Sequence, residues 1–145
     1  MPDQAHSELQ PAIFTAVARN RDGSTGESSV DGGIRVAVAA PTGPAVPGAT
    51  NPEELLALAW ATCLNAAARA IAGPGVAIEA VARVSLHPRA EGAYEFSAHA
   101  ELSFAGVPME EAESLAAAAH ERCPVSRLLD GRGSEQPTVR AVPVA

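Results

Sequence analysis

Cys63 and Cys123 are the only thiols in the chain, and each sits where a thiol can react. Cys63 lies inside the apolar run from Asn51 to Leu64, and Cys123 directly precedes Pro124 at a helix junction. Backbone N–H groups at a helix start can stabilise a thiolate. Two such cysteines, far apart in sequence and each at a helix, point to a dithiol that cycles through a disulfide. A thiol attacks as its thiolate, and an ordinary cysteine, with a pKa near ~8.5, is only a few per cent ionised at neutral pH. An apolar helix raises that value further, so a reactive Cys63 requires a cation. The candidates are Arg19 and Arg21, two apart at the end of a predicted strand and therefore on one face of it. The plain alternative is that Cys63 and Cys123 are small core hydrophobes, which is what most cysteines in apolar helices are. Residue types and spacing leave both readings open.

Other chemistries have less support. The histidines (His6, His87, His99 and His120) are scattered, and only His120-x-x-Cys123 has a ligand-like spacing. Two cysteines and one well-placed histidine do not complete a tetrahedral site, so no metal is expected. A cysteine hydrolase requires a base near the thiol and an oxyanion hole. His120 can reach Cys123 along a helix, but nothing else supports acyl transfer, and His120 reads as a solvated helix residue. No cofactor is expected.

The net charge of −7 argues against nucleic-acid backbone and against an anionic membrane surface as partners. Residues 1–10 carry no apolar core of a secretory signal, so the expected location is cytoplasmic. In that reducing compartment a lasting disulfide is rare and a catalytic one is the usual kind. The longest apolar run, Leu55 to Ala72, is interrupted by Thr62, Cys63, Asn65 and Arg69 and is barely long enough to span a bilayer, so no membrane segment is expected.

A single domain over 1–145 is expected, with 1–11 as a flexible or pairing N-terminal arm. Alternation predicts strands over 12–21 and 34–40, with Asp22-Gly23 and Gly32-Gly33 as turns. Pro41 to Ala49 is a loop. Asn51 then caps a helix, Pro52 takes its first position, Glu53 and Glu54 sit at the positive end of its dipole, and Gly73-Pro74-Gly75 ends it. Residues 76–87 and 93–104 form a hairpin, and 108–122 a second helix whose apolar stripe (Met109, Ala112, Leu115, Ala116, Ala119) continues to Cys123. A short helical piece follows over 124–129, and 138–144 is a closing strand. The order ββ-α-ββ-α-β is α+β. The central helix is apolar nearly all round, with a thin polar stripe of Thr62, Asn65 and Arg69. One small sheet covers one side only, so a second copy of the chain is expected on the other.

Asn51-Pro52-Glu53-Glu54-Leu55, then Cys63, then Cys123-Pro124-Val125-Ser126 closely resemble the OsmC/Ohr family of bacterial organic hydroperoxide resistance proteins. The Arg21-Asp22-Gly23 turn resembles that family's arginine-bearing loop, and the likeness runs from Ile13 to Val144. It implies an intertwined homodimer in which two central helices are wrapped by antiparallel sheets, with active sites at the interface. It also implies a thiol peroxidase that serves oxidative-stress defence, prefers organic hydroperoxides, and is re-reduced by dihydrolipoyl groups of lipoylated proteins.

Carried over by position, Cys63 is the peroxidatic cysteine, Cys123 the resolving one, Arg21 the guanidinium that stabilises the thiolate, and Glu53 the carboxylate that orients Arg21. Ten helical residues separate Glu53 from Cys63 by about 15 Å. Both cannot touch one arginine from the same straight helix. Either Glu53 acts from the partner chain, or the helix starts later than its cap indicates. Leu56, Trp60, Leu64 and Val125 are the apolar residues expected to flank the thiol and hold an alkyl tail. Leu64 and Val125 stand where many Ohr members carry an aromatic residue, and the segment from Cys123 to Leu129 looks closer to the OsmC branch. A rival from another class is a non-catalytic small-ligand or stress-associated binding protein of the same fold.

Overall fold

Asn51 starts the helix around which the chain is organised. In the computed structural model, which describes residues 9–144, its backbone is extended and its Oδ1 accepts the Glu54 N–H at 2.8 Å. The Glu54 carboxylate accepts in return from Asn51 Nδ2 and from Thr50 Oγ1, both at 3.1 Å. A cap of this kind contributes about 1 kcal/mol. Helix α1 spans Pro52–Ala72 and stops at Gly73, whose φ of 79° lies in the left-handed region that favours glycine.

α1 buries Trp60, Leu64, Ala67 and Ala68. Asn65 Nδ2 donates to the Ile78 carbonyl at 2.9 Å, and Arg69 Nε donates to Asn65 Oδ1, so part of the polar stripe ties the helix to the strand that follows. The opposite face is bare: Leu58 is 64% exposed, and Ala59, Thr62, Ala66, Arg69 and Ala70 are exposed with it. By length and composition α1 could cross a membrane. In this fold one side of it packs against strand β5 (Ile78–Pro88), α2 (Met109–Arg122) and α3 (Pro124–Leu129).

The strands form two sheets. The first has the order β1-β2-β3-β4, from Ala18–Asn20, Thr25–Val30, Arg35–Ala39 and Ala49–Thr50, with the last pairing parallel. The second is the hairpin of β5 with β6 (Tyr94–Phe104). Its rungs Ile78↔Phe104, Ala80↔Leu102, Ala82↔Ala100 and Val84↔Ala98 put apolar side chains on one face, against which α1 and α2 lie. The core is the cluster of Trp60, Leu64, Ala67, Ala68, Ile78, Phe104, Ala119 and Cys123.

The architecture is α+β, as expected, but the strands differ at the edges. The strand predicted over 12–21 shrinks to Ala18–Asn20, leaving Ile13 and Phe14 exposed. β2 was not foreseen: Thr25–Val30 is mostly small and polar, and it is a strand because β1 and β3 ladder both its edges. Thr138–Val144, expected as a closing strand, lies outside any ladder among the described residues. Pro137 and Pro143 remove N–H donors there, and a strand exists only where a second backbone pairs with it. Met109 departs from the stripe assigned to it and is 73% exposed, because the stripe first reaches the core at Ala112. Of the expected N-terminal arm, residues 1–8 lie outside the described residues.

Candidate active site

The two thiols meet where α1 crosses the α2–α3 junction. Cys123 closes α2 and caps α3: its N–H donates to the Ala119 carbonyl at 2.9 Å, and its Sγ accepts the Ser126 N–H at 3.4 Å. It is fully buried. Cys63 is half-buried, at the edge between the packed and bare faces of α1. Burial pushes the Cys63 thiol above the ordinary cysteine value; the Val125 N–H opposes that rise, and the adjacent Cys123 thiol adds to it. The fold therefore brings together two free thiols about sixty residues apart in sequence. No cation acts on Cys63 among the described residues.

A contact that sequence reasoning missed holds this corner. Trp60 Nε1 donates to Ser126 Oγ at 2.8 Å, and both groups are buried. It joins α1, one turn before Cys63, to α3, one turn after Cys123. The motif Cys-Pro-x-Ser gave the only available signal, since it sets Ser126 in the first turn of α3.

The arginines lie elsewhere. Arg21 sits in the β1–β2 hairpin, where Asn20 fastens the turn: its Oδ1 accepts the Gly23 N–H at 2.7 Å, and its Nδ2 donates to Gly23 O and to Ser28 Oγ, both at 2.9 Å. Arg19 is engaged by Asp31 through two hydrogen bonds of 2.9 Å. Those hydrogen bonds, with the attraction between the charges, raise the Arg19 guanidinium above its usual value and hold the Asp31 carboxyl below its own. Arg35 pairs with Glu27 on the same sheet. Among the described residues Arg21 has no ion-pair partner, so of the two candidates it is the one with an uncommitted fork. Within one chain it is not brought to Cys63 or to Glu53.

Glu53 is in the first turn of α1, with Oε2 shut off from solvent and without a hydrogen-bond partner. A buried carboxylate oxygen left in that state is destabilising. The helix starts at its Asn51 cap, so the alternative of a later start is removed.

The apolar residues divide. Leu56 and Val125 are half-buried; Leu56, seven before Cys63, shares its side of α1, and Val125 packs on the core at the start of α3. Trp60 and Leu64 instead line a cavity of about 300 Å³ with Ala98, His99, Ala100, Leu102, Ala116 and His120, between α1, α2 and β6. No cluster of three or more potential metal ligands occurs among the described residues.

The family model of OsmC-like proteins matches residues 43–135. An organic hydroperoxide resistance protein-like protein of Mycoplasma pneumoniae is 33% identical over 127 residues, covering 81% of this chain and 87% of that relative. The organic hydroperoxide resistance protein OhrA of Bacillus subtilis is 32% identical over 131 residues, covering 85% and 93%. The crystal structure of an organic hydroperoxide resistance protein OsmC from Legionella pneumophila superposes with a TM-score of 0.76 at 31% identity, covering 84% of this chain and 93% of that one.

Proposed function

The chain belongs to the OsmC-like family, and from that premise we propose that it is a dithiol peroxidase reducing organic hydroperoxides to alcohols in oxidative-stress defence. The observation that carries the reading is the meeting of Cys63 and Cys123, one half-buried at a helix edge and the other buried at a helix junction. The Cys63 thiolate attacks the terminal peroxide oxygen. The O–O bond breaks, Cys63 becomes a sulfenic acid, and the alkoxide leaves as the alcohol after taking a proton. Cys123 then attacks the Cys63 sulfur, forming the disulfide and releasing water. An external dithiol of the dihydrolipoyl type, carried on a lipoylated protein, returns both thiols by exchange. A reducing cytoplasm is the setting such a cycle suits.

The thiolate still requires a cation, and burial alone works against it. Arg21, with its uncommitted fork, is the guanidinium we assign to this task, and Glu53, with a buried oxygen lacking a donor, is the carboxylate that receives it. Geometry on one chain supports neither contact. A homodimer in which the partner's surface covers the bare face of α1 supplies both, and exposed Leu58, Tyr94 and Phe96 favour that assembly. Leu56 and Val125 beside the thiol give an organic peroxide its apolar contact, while Trp60 and Leu64 back the helix from the core side.

The test is a thiol count before and after one equivalent of cumene hydroperoxide. Loss of both thiols is the expected result. An unchanged count sinks the peroxidase and leaves the binding protein of the same fold.

A further inference from the structure

Cys123 has no fixed position apart from that of the elbow it occupies, since it is both the last link of α2 and the cap of α3. α3 has only six residues, too short to hold its own direction. Beyond it the chain turns at Gly131, with φ of 76°, and Arg132 folds back across the junction. Arg132 Nε donates to Asp130 Oδ2 at 2.7 Å, just past the end of α3. Its Nη2 donates to the His120 carbonyl at 3.3 Å, in the last turn of α2. Its Nη1 lies 2.8 Å from Glu121 Oε2 as an ion pair, out of line for a hydrogen bond and closed to solvent. The Arg132 backbone joins in: its N–H donates to the Arg127 carbonyl at 2.8 Å, and its carbonyl accepts from Arg127 Nη2 at 2.8 Å.

One guanidinium therefore spans both flanks of Cys123. At 28% exposure the Arg132 side chain is far less solvated than Arg19 or Arg35, which are 63% and 69% exposed, so its charge contacts are less screened. Burial pushes the Asp130 carboxyl up, but the hydrogen bonds and charge of Arg132, with His120 adding, outweigh this and hold it below the usual carboxylate value.

We propose that Arg132 is a positioning residue for the resolving thiol, fixing the α2–α3 elbow so that Cys123 closes quickly on the oxidised Cys63. The inference rests on the peroxidase reading above. In closure the Cys123 sulfur attacks the sulfur of Cys63–SOH. An S–S bond of about 2.05 Å forms, the S–O bond breaks, and the oxygen leaves as water with the Cys123 proton. The hydroperoxide has already supplied the oxidising equivalents. Arg132 touches neither sulfur, so peroxide attack at Cys63 does not depend on it.

The experiment separates the two steps by rapid mixing with cumene hydroperoxide. Attack is followed by loss of peroxide in the first turnover, and closure by the lifetime of the dimedone-trappable sulfenic acid. Arg132→Ala should lengthen that lifetime by about ten-fold or more, on the scale that small misplacements of reacting groups impose, and leave attack nearly unchanged. Arg132→Lys, which keeps the charge but not the fork, should recover part of the closure rate. Asp130→Asn, a milder change, should slow closure in the same selective way and carries the test if the alanine variant does not fold. Unchanged closure in folded variants, or attack and closure slowed equally, overturns the proposal. If the wild-type chain forms no Cys63–Cys123 disulfide, the peroxidase reading falls and this proposal with it. A wild type that closes normally beside variants that close as fast removes Arg132 alone.

Discussion

The helical corner around Cys123 and the β1–β2 hairpin around Arg21 are built to different degrees of completion by one chain. At the corner Cys123, Ser126, Trp60 and Asp130 find hydrogen-bond partners within the same fold, and Arg132 does so through Nε and Nη2 while its Nη1 meets Glu121 as an ion pair only. At the hairpin, Asn20 and Asp31 order the backbone and occupy Arg19, yet Arg21 extends without a partner among the described residues. Glu53 is unfinished in the same way. The thiol pair is therefore a product of local packing, whereas the arginine and carboxylate proposed to activate it are not brought to it within one chain. Folding and activation of this site separate along that line.

The sharpest way to break the contrast is at the sulfurs. Cys63→Ser should abolish peroxide turnover, while Cys123→Ser should consume one equivalent and stop at a sulfenic acid trapped by dimedone. Labelling of Cys123 in the Cys63→Ser variant would mean that the roles are reversed.

The hairpin half comes next. Arg21→Ala removes the proposed cation and leaves only the Val125 N–H to oppose burial, so the pH midpoint for alkylation of Cys63 should move up; Arg19→Ala should move it less. Equal shifts would show that the wrong arginine is chosen. Subunit exchange tests the assembly directly. A Cys63→Ser homodimer mixed with an inactive Glu53→Ala homodimer should regain activity, because the mixed dimer holds one intact site. No recovery after proven exchange would remove Glu53 from the partner's site.

A smaller effect concerns the apolar surroundings of Cys63. An alkyl tail that buries two or so methylenes gains roughly 0.8 kcal/mol for each, so kcat/KM for cumene or tert-butyl hydroperoxide should exceed that for hydrogen peroxide by about ten-fold or more. Comparable values would discard the apolar pocket while leaving the cysteines in place. Smallest is the stability of the corner itself. Trp60→Phe leaves Ser126 Oγ buried without its donor and should lower the unfolding free energy by about 1–3 kcal/mol in urea titrations. Adding Ser126→Ala to it should recover part of that loss, and no recovery would mean that packing of the indole, not the hydrogen bond, holds α1 to α3.

What the sequence made legible follows the reach of each force. The bounds of α1 were plain because Asn51, Pro52 and Gly73 act within one turn of themselves, and the β5–β6 hairpin because its apolar residues alternate over a long stretch. β2 escaped because Thr25–Val30 carries no such alternation; backbone pairing on both sides makes it a strand. The run 12–17 misled in the opposite sense, with strand-like residues and no ladder. At the site, the thiols could be singled out by type, and the preference for Arg21 over Arg19 came from the family's loop. Only the fold shows that Asp31 occupies Arg19. Trp60 with Ser126, and Arg132 with His120 and Asp130, are long-range or loop-mediated meetings that no spacing rule announces.

Trp60 is the chain's only tryptophan, and its indole N–H ends on a residue three past Cys123. Indole emission is sensitive to hydrogen bonding and to neighbouring sulfur, so the protein carries an internal fluorophore tied to the corner that holds both thiols. If Cys63 and Cys123 join as proposed, any movement of α3 against α1 on closure would reach the Trp60–Ser126 hydrogen bond and change that emission. Trp60 emission would then report the proposed oxidation in unlabelled protein, against a background that the scarcity of aromatic residues keeps dark.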